Sequence, residues 1–310
     1  MSQNIQTQTN IQTQANNRDI DSLKKIAWQL SREIIEITTK AGSGHPSSSL
    51  SAIDILTVLY FGGVMRYDPH DPKAPDRDRF ILSKGHASPG LYVTLAEAGF
   101  FDKKLLPTLR EFGSPLEGHP VMGELAGVEA STGSLGQGLS MGLGHALAGR
   151  IDQRDYRVYV MIGDGESDEG EIWEAALAAS KYHVDHLTAI LDNNNYQQTG
   201  PVSQVMPSLS PIAKKWQAFD WATFEIDGHN YEQIEDAFAR ARQVQGQPQI
   251  IIAHTDKGRF LTPFTEDKVN RKHGVALKPD EAKVALEELD RYYQQSIQKN
   301  AADDKNEKGI

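Results

Sequence analysis

Branched apolar residues dominate two short runs, Arg-Val-Tyr-Val-Met-Ile at 157–162 and Leu-Thr-Ala-Ile-Leu at 187–191. Runs this short, apolar at nearly every position, read as β-strands buried on both faces of a sheet. Between them, residues 171–182 carry Trp, Ala and Leu with neither Gly nor Pro, which predicts a helix. A strand, helix, strand unit follows. Such crossovers are right-handed and leave their strands parallel, so both carboxyl ends open on the same edge, where open α/β sheets bind ligands. Further along, 224–227 and 249–254 read as the last strands, joined by a helix over 233–243. Upstream, the pattern predicts helices over 21–40 with Asp21 as cap, within 46–60, and over 138–149. The alternation predicts an α/β fold, a parallel β-sheet with helices on both faces.

The polar positions mark the ends. Residues 2–18 are largely Gln, Asn, Thr and Ser, with Ile-Gln-Thr-Gln occurring twice, and cannot bury enough surface to offset their ordering entropy. Residues 1–18 are therefore expected to be a disordered tail, and 300–310, with the charged stretch 303–308, a second one. One domain is expected over 19–299, and 310 residues with 39% hydrophobic content suffice for its core. The formal charge of −10 leaves no basic stripe for nucleic acid. No apolar stretch approaches the length of a transmembrane helix, and the N-terminus lacks the charged start and apolar core of a signal peptide, so the default location is the cytoplasm, with no membrane partner. With no cysteine, disulfides and thiol catalysis are excluded.

Candidate chemistry sits just past the first two strands. Gly163-Asp164-Gly165-Glu166-Ser167-Asp168-Glu169-Gly170 follows one and Asp192-Asn193-Asn194-Asn195-Tyr196 the other. Alone, the first piece fits a tight turn and the second a loop. Together they place a carboxylate, Asp164, and an amide oxygen, Asn194, at neighbouring strand ends, and two hard oxygen ligands suit Mg²⁺ or another divalent cation with a diphosphate. Gly163 and Gly165 allow close backbone approach to a phosphate, and the following helix turns its positive end to the same spot. Four further loops pair histidine with glycine: Gly44-His45, Gly85-His86, Gly118-His119 and His273-Gly274. One such histidine is usually structural. Four offer groups that donate or accept near neutral pH, as a sugar hydroxyl or a diphosphate oxygen requires.

The paired segments resemble the thiamine diphosphate motif, in which the aspartate, the asparagine and a backbone carbonyl two residues later hold the metal. Those positions are Asp164, Asn194 and Tyr196. The segments at 41–46, 82–88, 117–120 and 131–138 come in the order seen in transketolases, over residues 20–280. The chain therefore resembles the N-terminal, diphosphate-binding subunit of a split transketolase, with the thiamine diphosphate-binding fold. The resemblance implies that His45 and His273 face the substrate and assist proton transfer, that His86 touches the diphosphate, and that His119 binds the first hydroxyl of a ketose. It implies that Gly133, Ser134 and Leu135 pack along the cofactor, with Gly163, Asp164, Gly165 and Asn194 around its diphosphate. It places Glu169 at the subunit interface, where a carboxylate stabilised by a helix dipole is the equal alternative.

The glutamate that activates the cofactor belongs, in this family, to the pyrimidine-binding module. A C-terminal partner subunit is thus expected to supply it, in an α2β2 assembly that moves a two-carbon ketol unit from a ketose to an aldose. The alternatives are a deoxyxylulose phosphate synthase-like subunit, the decarboxylase component of a 2-oxo acid dehydrogenase, or a non-catalytic regulatory subunit. Two stretches depart from the family pattern: Tyr196-Gln197-Gln198, and 256–264, where a Lys-Gly-Lys-Gly loop is common. Phe260 and Phe264 there are expected to cover the sheet edge rather than shape a sugar pocket.

Overall fold

In a computed structural model the described residues are 19–261 and 273–307, with side chains described as far as 296. The expected tail 1–18, and Phe264, lie outside them. Five strands form the sheet: β1 (Arg79–Leu82), β2 (Val158–Gly163), β3 (Leu187–Asn193), β4 (Ala222–Asp227) and β5 (Gln249–His254). Their order is β1-β2-β3-β5-β4 and every pairing is parallel. The register sets Gly163 beside Asp192 and Asn193 beside His254, so the loops after β2, β3 and β5 leave the sheet at one level.

Both faces are covered. Tyr159, Met161, Ile190 and Ile251 point into a core with helices α1 (Ile20–Ala41), α3 (Ile53–Phe61), α4 (Ser88–Glu97) and α9 (Tyr231–Gln243). Val158, Val160, Ile162 and Leu191 point the other way, against α5 (Gln137–Ile151), α6 (Gly170–Lys181) and α8 (Ile212–Ala218). Each such side chain, shielded from water, contributes about 1.5–3 kcal/mol. Helix α5 lies so close to the sheet that a Cβ on Gly142 would stand 2.3 Å from Val160. The short α2 (Pro46–Leu50) and α7 (Val202–Val205) complete the connections.

Several expectations are corrected. Asp19, not Asp21, caps α1, its carboxylate accepting the Ser22 amide at 2.8 Å, while Asp21 sits in the first turn. Residues 46–60 hold two helices, α2 and α3, separated at Ser51 and Ala52. A last helix, α10 (Pro279–Glu307), packs on α1 and runs into the stretch expected to be an unstructured tail from 300. Phe260 packs in the core with its ring 5.3 Å from that of Tyr292 on α10, a covering role. Behind it, Asp54 accepts hydrogen bonds from Tyr231 at 2.6 Å and His229 at 2.8 Å and pairs with Arg259, which ties the loop after β5 to α3 and α9.

Candidate active site at the carboxyl ends of the strands

A cavity of about 430 Å³ opens where β1, β2, β3 and β5 end, within the range of small-molecule sites. Its floor is a buried ion pair. Lys84, the second residue past β1, reaches across β2 to the Asp192 carboxylate on β3 and also donates to the Ser48 carbonyl at 2.9 Å. Asp192 accepts further hydrogen bonds from Ser51 at 2.6 Å, Thr255, and Asn194 at 3.3 Å. Burial pushes the Asp192 carboxyl up, but the Lys84 charge and the hydroxyl donors hold it below its ordinary value.

Asp164 and Asn194 meet above this floor, as the strand pairing requires. Asp164 Oδ1 accepts the Gly165 amide at 2.8 Å, whereas Oδ2 is buried and has no hydrogen-bond partner among the described residues. Burial, and then the Asp192 charge, push its carboxyl up to about 7. A carboxylate oxygen held dry and unpaired is costly by itself, and a cation is what it lacks. Asn194 Oδ1 accepts the Tyr196 amide at 3.1 Å. The Lys257 ammonium lies 3.5 Å from the Tyr196 carbonyl and 3.4 Å from that of Gln197, and burial lowers its pKa to about 8. One carboxylate, one amide oxygen and one carbonyl fit Mg²⁺, which keeps most of its sphere for phosphate and water. Among the described residues no group of three His, Cys, Asp or Glu could hold a metal, so this mixed oxygen set is the candidate.

Gly163 and Gly165 bear on the site through their backbone position rather than through their amides. Gly163 gives its N–H to Glu166 at 3.0 Å and Gly165 to Asp164, so neither is aimed at a phosphate. What these residues offer is closeness: a Cβ on Gly165 would stand 3.0 Å from Gln197.

His45, His86 and His273 form a triangle with ring centroids 5.1–5.2 Å apart. Nδ1 of His45 and of His273 is buried and unpartnered among the described residues. Burial is the first cause of lowered pKa in all three. Arg110, His119 and Lys257 add to it at His45, which falls to about 4. Lys257, His45 and Lys84 act on His273, which falls to about 3, and Lys84 helps hold His86 well below its ordinary value. His119, lowered by burial and Arg110, packs its ring on Gly133, where a Cβ would stand 3.0 Å away. The imidazoles are therefore neutral near pH 7, each with one donor and one acceptor nitrogen.

Gly133 and Leu135 line the cavity, while Ser134 is exposed and pairs with Gln137 at 3.3 Å. Glu169 lines the rim, exposed, at the N-cap of α6 without a side-chain capping bond. Lys84, Asp192, Glu166 and Lys257 have no assigned role in the sequence. Lys84 and Lys257 stand beside glycine just past strands, the one signal that marks them.

Fold and site together define an α/β module with a polar cavity at the carboxyl edge of a parallel sheet, lined by an oxygen set that a cation would fit. Residues 24–307 match the family described as "Transketolase, thiamine diphosphate binding domain". The chain belongs to that family. It is 41% identical to an apulose-4-phosphate transketolase subunit of Phocaeicola vulgatus, over 83% of this chain and 90% of the relative. It is 43% identical to a 6-deoxy-6-sulfo-D-fructose transketolase subunit of Clostridium sp. strain MSTE9, over 83% and 92%. Human transketolase is 44% identical over 87% of this chain but only 42% of its own length. The solved transketolase of Campylobacter jejuni superposes with a TM-score of 0.81 at 31% identity, over 88% of this chain and 43% of its own. The chain thus spans less than half of the full-length transketolases and nearly all of the two subunits.

Proposed function

We propose that this chain is the diphosphate-binding subunit of a two-subunit transketolase, moving a two-carbon ketol unit from a ketose to an aldose. The observation that carries it is the buried, unpartnered Asp164 oxygen beside Asn194, under a triangle of neutral histidines. In this reading Asp164, Asn194 and the Tyr196 carbonyl hold Mg²⁺ or a similar divalent cation, and Lys257 and His86 face the diphosphate. Thiamine diphosphate, when bound, supplies the electron sink for cleaving the donor's carbon–carbon bond. His45 and His273 hold or pass a proton at their ring nitrogens as the donor hydroxyl becomes a carbonyl and the acceptor carbonyl a hydroxyl. His119 takes the ketose's first hydroxyl. Gly133 to Leu135 support the cofactor, and Glu169 meets the companion subunit.

That companion carries the pyrimidine-binding module with the activating glutamate. The α2β2 stoichiometry and the cytoplasmic location are part of this proposal. Subunit-length relatives named as transketolase subunits favour it over a deoxyxylulose phosphate synthase, a 2-oxo acid decarboxylase component or a non-catalytic subunit.

The test is ketol transfer from a panel of ketoses, with thiamine diphosphate and Mg²⁺, by the chain alone and by the pair. Activity is expected only in the pair, and turnover by the chain alone would overturn the divided site. Asp164→Ala should abolish cofactor binding yet leave the thermal midpoint of the unloaded subunit unchanged or raised, because it removes an uncompensated buried carboxylate. Normal cofactor affinity in that variant would sink the metal assignment.

A further inference from the structure

Glu166 is almost wholly buried, 2% exposed, and stands two residues past the metal-ligand candidate Asp164. Its carboxylate accepts three donors, from the end of β2 and from the loops after β1 and before α5. Oε1 accepts the Ser83 hydroxyl and the Gly136 amide, the latter at 2.9 Å, and Oε2 accepts the Gly163 amide at 3.0 Å. Ser83 in turn accepts the Gly138 amide at 3.1 Å, which fixes its hydroxyl hydrogen toward Glu166. Each of these segments bears one wall of the cavity. Ser83 precedes Lys84 and His86, Gly136 closes the turn holding Gly133 and Leu135, and Gly163 immediately precedes Asp164. Gly136 adopts a φ of 90°, and a Cβ there would stand 2.8 Å from Glu169, so this turn is held in a conformation that L side chains resist.

We propose that Glu166 is a positioning residue of this site, a clasp whose single carboxylate sets the spacing between the metal loop, the His86 loop and the Gly133 turn. This inference rests on the reading that the cavity takes Mg²⁺ and a diphosphate. A carboxylate is needed because all three partners are donors. Glutamine keeps the size but turns an NH₂ group toward at least one of them, whichever way the amide is flipped. With the amide oxygen kept at the Oε1 position, two donors face each other at Gly163, and the displaced strand end carries Asp164 with it. Residues behind metal ligands typically alter metal affinity by about 10–100-fold when changed.

The experiment measures Mg²⁺-dependent thiamine diphosphate affinity by calorimetry, on the subunit with its companion, for Glu166→Gln, Ser83→Ala and the double variant. Asp164→Ala serves as reference. Glu166→Gln should weaken binding by about tenfold or more and raise the cofactor KM by a larger factor than it lowers kcat. Ser83→Ala should weaken it in the same sense, and the double variant should be no worse than Glu166→Gln, because both break one clasp. Ser83→Ala keeps the test alive should Glu166→Gln fail to fold. If Glu166→Gln lowers the thermal midpoint yet binds the cofactor like the parent while Asp164→Ala does not, the positioning role is overturned and the metal site stands. If Asp164→Ala binds normally, the underlying functional reading has failed instead. Additive losses in the double variant would also overturn the clasp.

Discussion

Replacing Asp192 with asparagine should cost far more stability than exchange of any surface carboxylate. Asp192 is wholly buried, and it answers Lys84, itself only 1% exposed, together with Ser51, Thr255 and Asn194. Asparagine keeps the shape but leaves the ammonium buried, with the Ser48 carbonyl at 2.9 Å as its remaining partner. It also turns an NH₂ group toward a ring of donors. Breaking a buried ion pair from one side costs about 3–5 kcal/mol, and the lost hydrogen bonds are already contained in that figure. With roughly 2.1 cal/mol/K of unfolding entropy per residue over 310 residues, the thermal midpoint should fall by about 5–8 °C. The assay is scanning calorimetry of the cofactor-free subunit, with circular dichroism at the same rate as a check that unfolding is two-state. The pair Lys84→Met with Asp192→Leu should recover much of the loss, because apolar residues of similar volume often replace a buried ion pair without penalty. A fall below about 2 °C for Asp192→Asn would show that water reaches the pair and that this account of the floor is wrong.

His119→Ala should raise the donor KM about 3–10-fold, the worth of one net hydrogen bond, with a smaller effect on cofactor affinity; an unchanged donor KM would remove the residue from the substrate side. The unloaded subunit should also lose stability in acid in two stages. His45 and His273 have folded pKa values near 4 and 3 against 6.5 unfolded, so the unfolded chain takes up protons first and the loss begins as pH falls below about 6.5. Asp192, held below its ordinary 3.8, keeps its contribution above that pH and loses it only as pH falls through the lower folded value. Asp164, with a folded pKa near 7 against 3.8 unfolded, gains stability over the same window and offsets part of this loss. Thermal midpoints measured from pH 8 to 3 should therefore decline before the carboxylate range is reached, more steeply in Asp164→Ala than in the parent, and His45→Asn should shallow that first stage. A flat profile down to pH 4 in Asp164→Ala would contradict the buried neutral histidines.

Strands β2 and β3 were legible because both faces are covered, which makes nearly every position apolar, and the Asp164 and Asn194 pairing followed from where those strands end. Strand β1 was not, since Arg-Phe-Ile-Leu is only four residues and begins with a charge. That omission hid the floor of the site: Lys84 reaches Asp192 only because β1 and β3 flank β2, a contact across 108 positions that no local pattern encodes. The direction of the glycine amides was hidden for a related reason. Gly163 and Gly165 announce a tight turn, but whether their N–H groups face a ligand depends on Glu166 and Asp164 competing for them at 3.0 and 2.8 Å. Helix α10 escaped notice because its exposed face is densely charged, so composition resembled a solvated tail while Leu289 and Ala285 were being buried against α1.

The same accounting of partners explains how so acidic a protein can hold a diphosphate. The charge of −10 opposes any anion, and the most deeply buried cation of the site, Lys84, is neutralised by Asp192. The histidines are kept neutral and the glycine amides are committed, which leaves Lys257 facing the unpaired Asp164 oxygen's side of the cavity. In the proposed function neither ligand is favoured alone: a diphosphate without metal would meet the Asp164 carboxylate, and a metal without diphosphate would have Asp164 as the one carboxylate among its three proposed protein ligands. Together each supplies the charge the other lacks, so binding of Mg²⁺ and of thiamine diphosphate should be strongly and reciprocally coupled. The neutral histidines then contribute hydrogen bonds rather than field, which lets them release and accept protons at the sugar without being trapped as imidazolium beside the diphosphate.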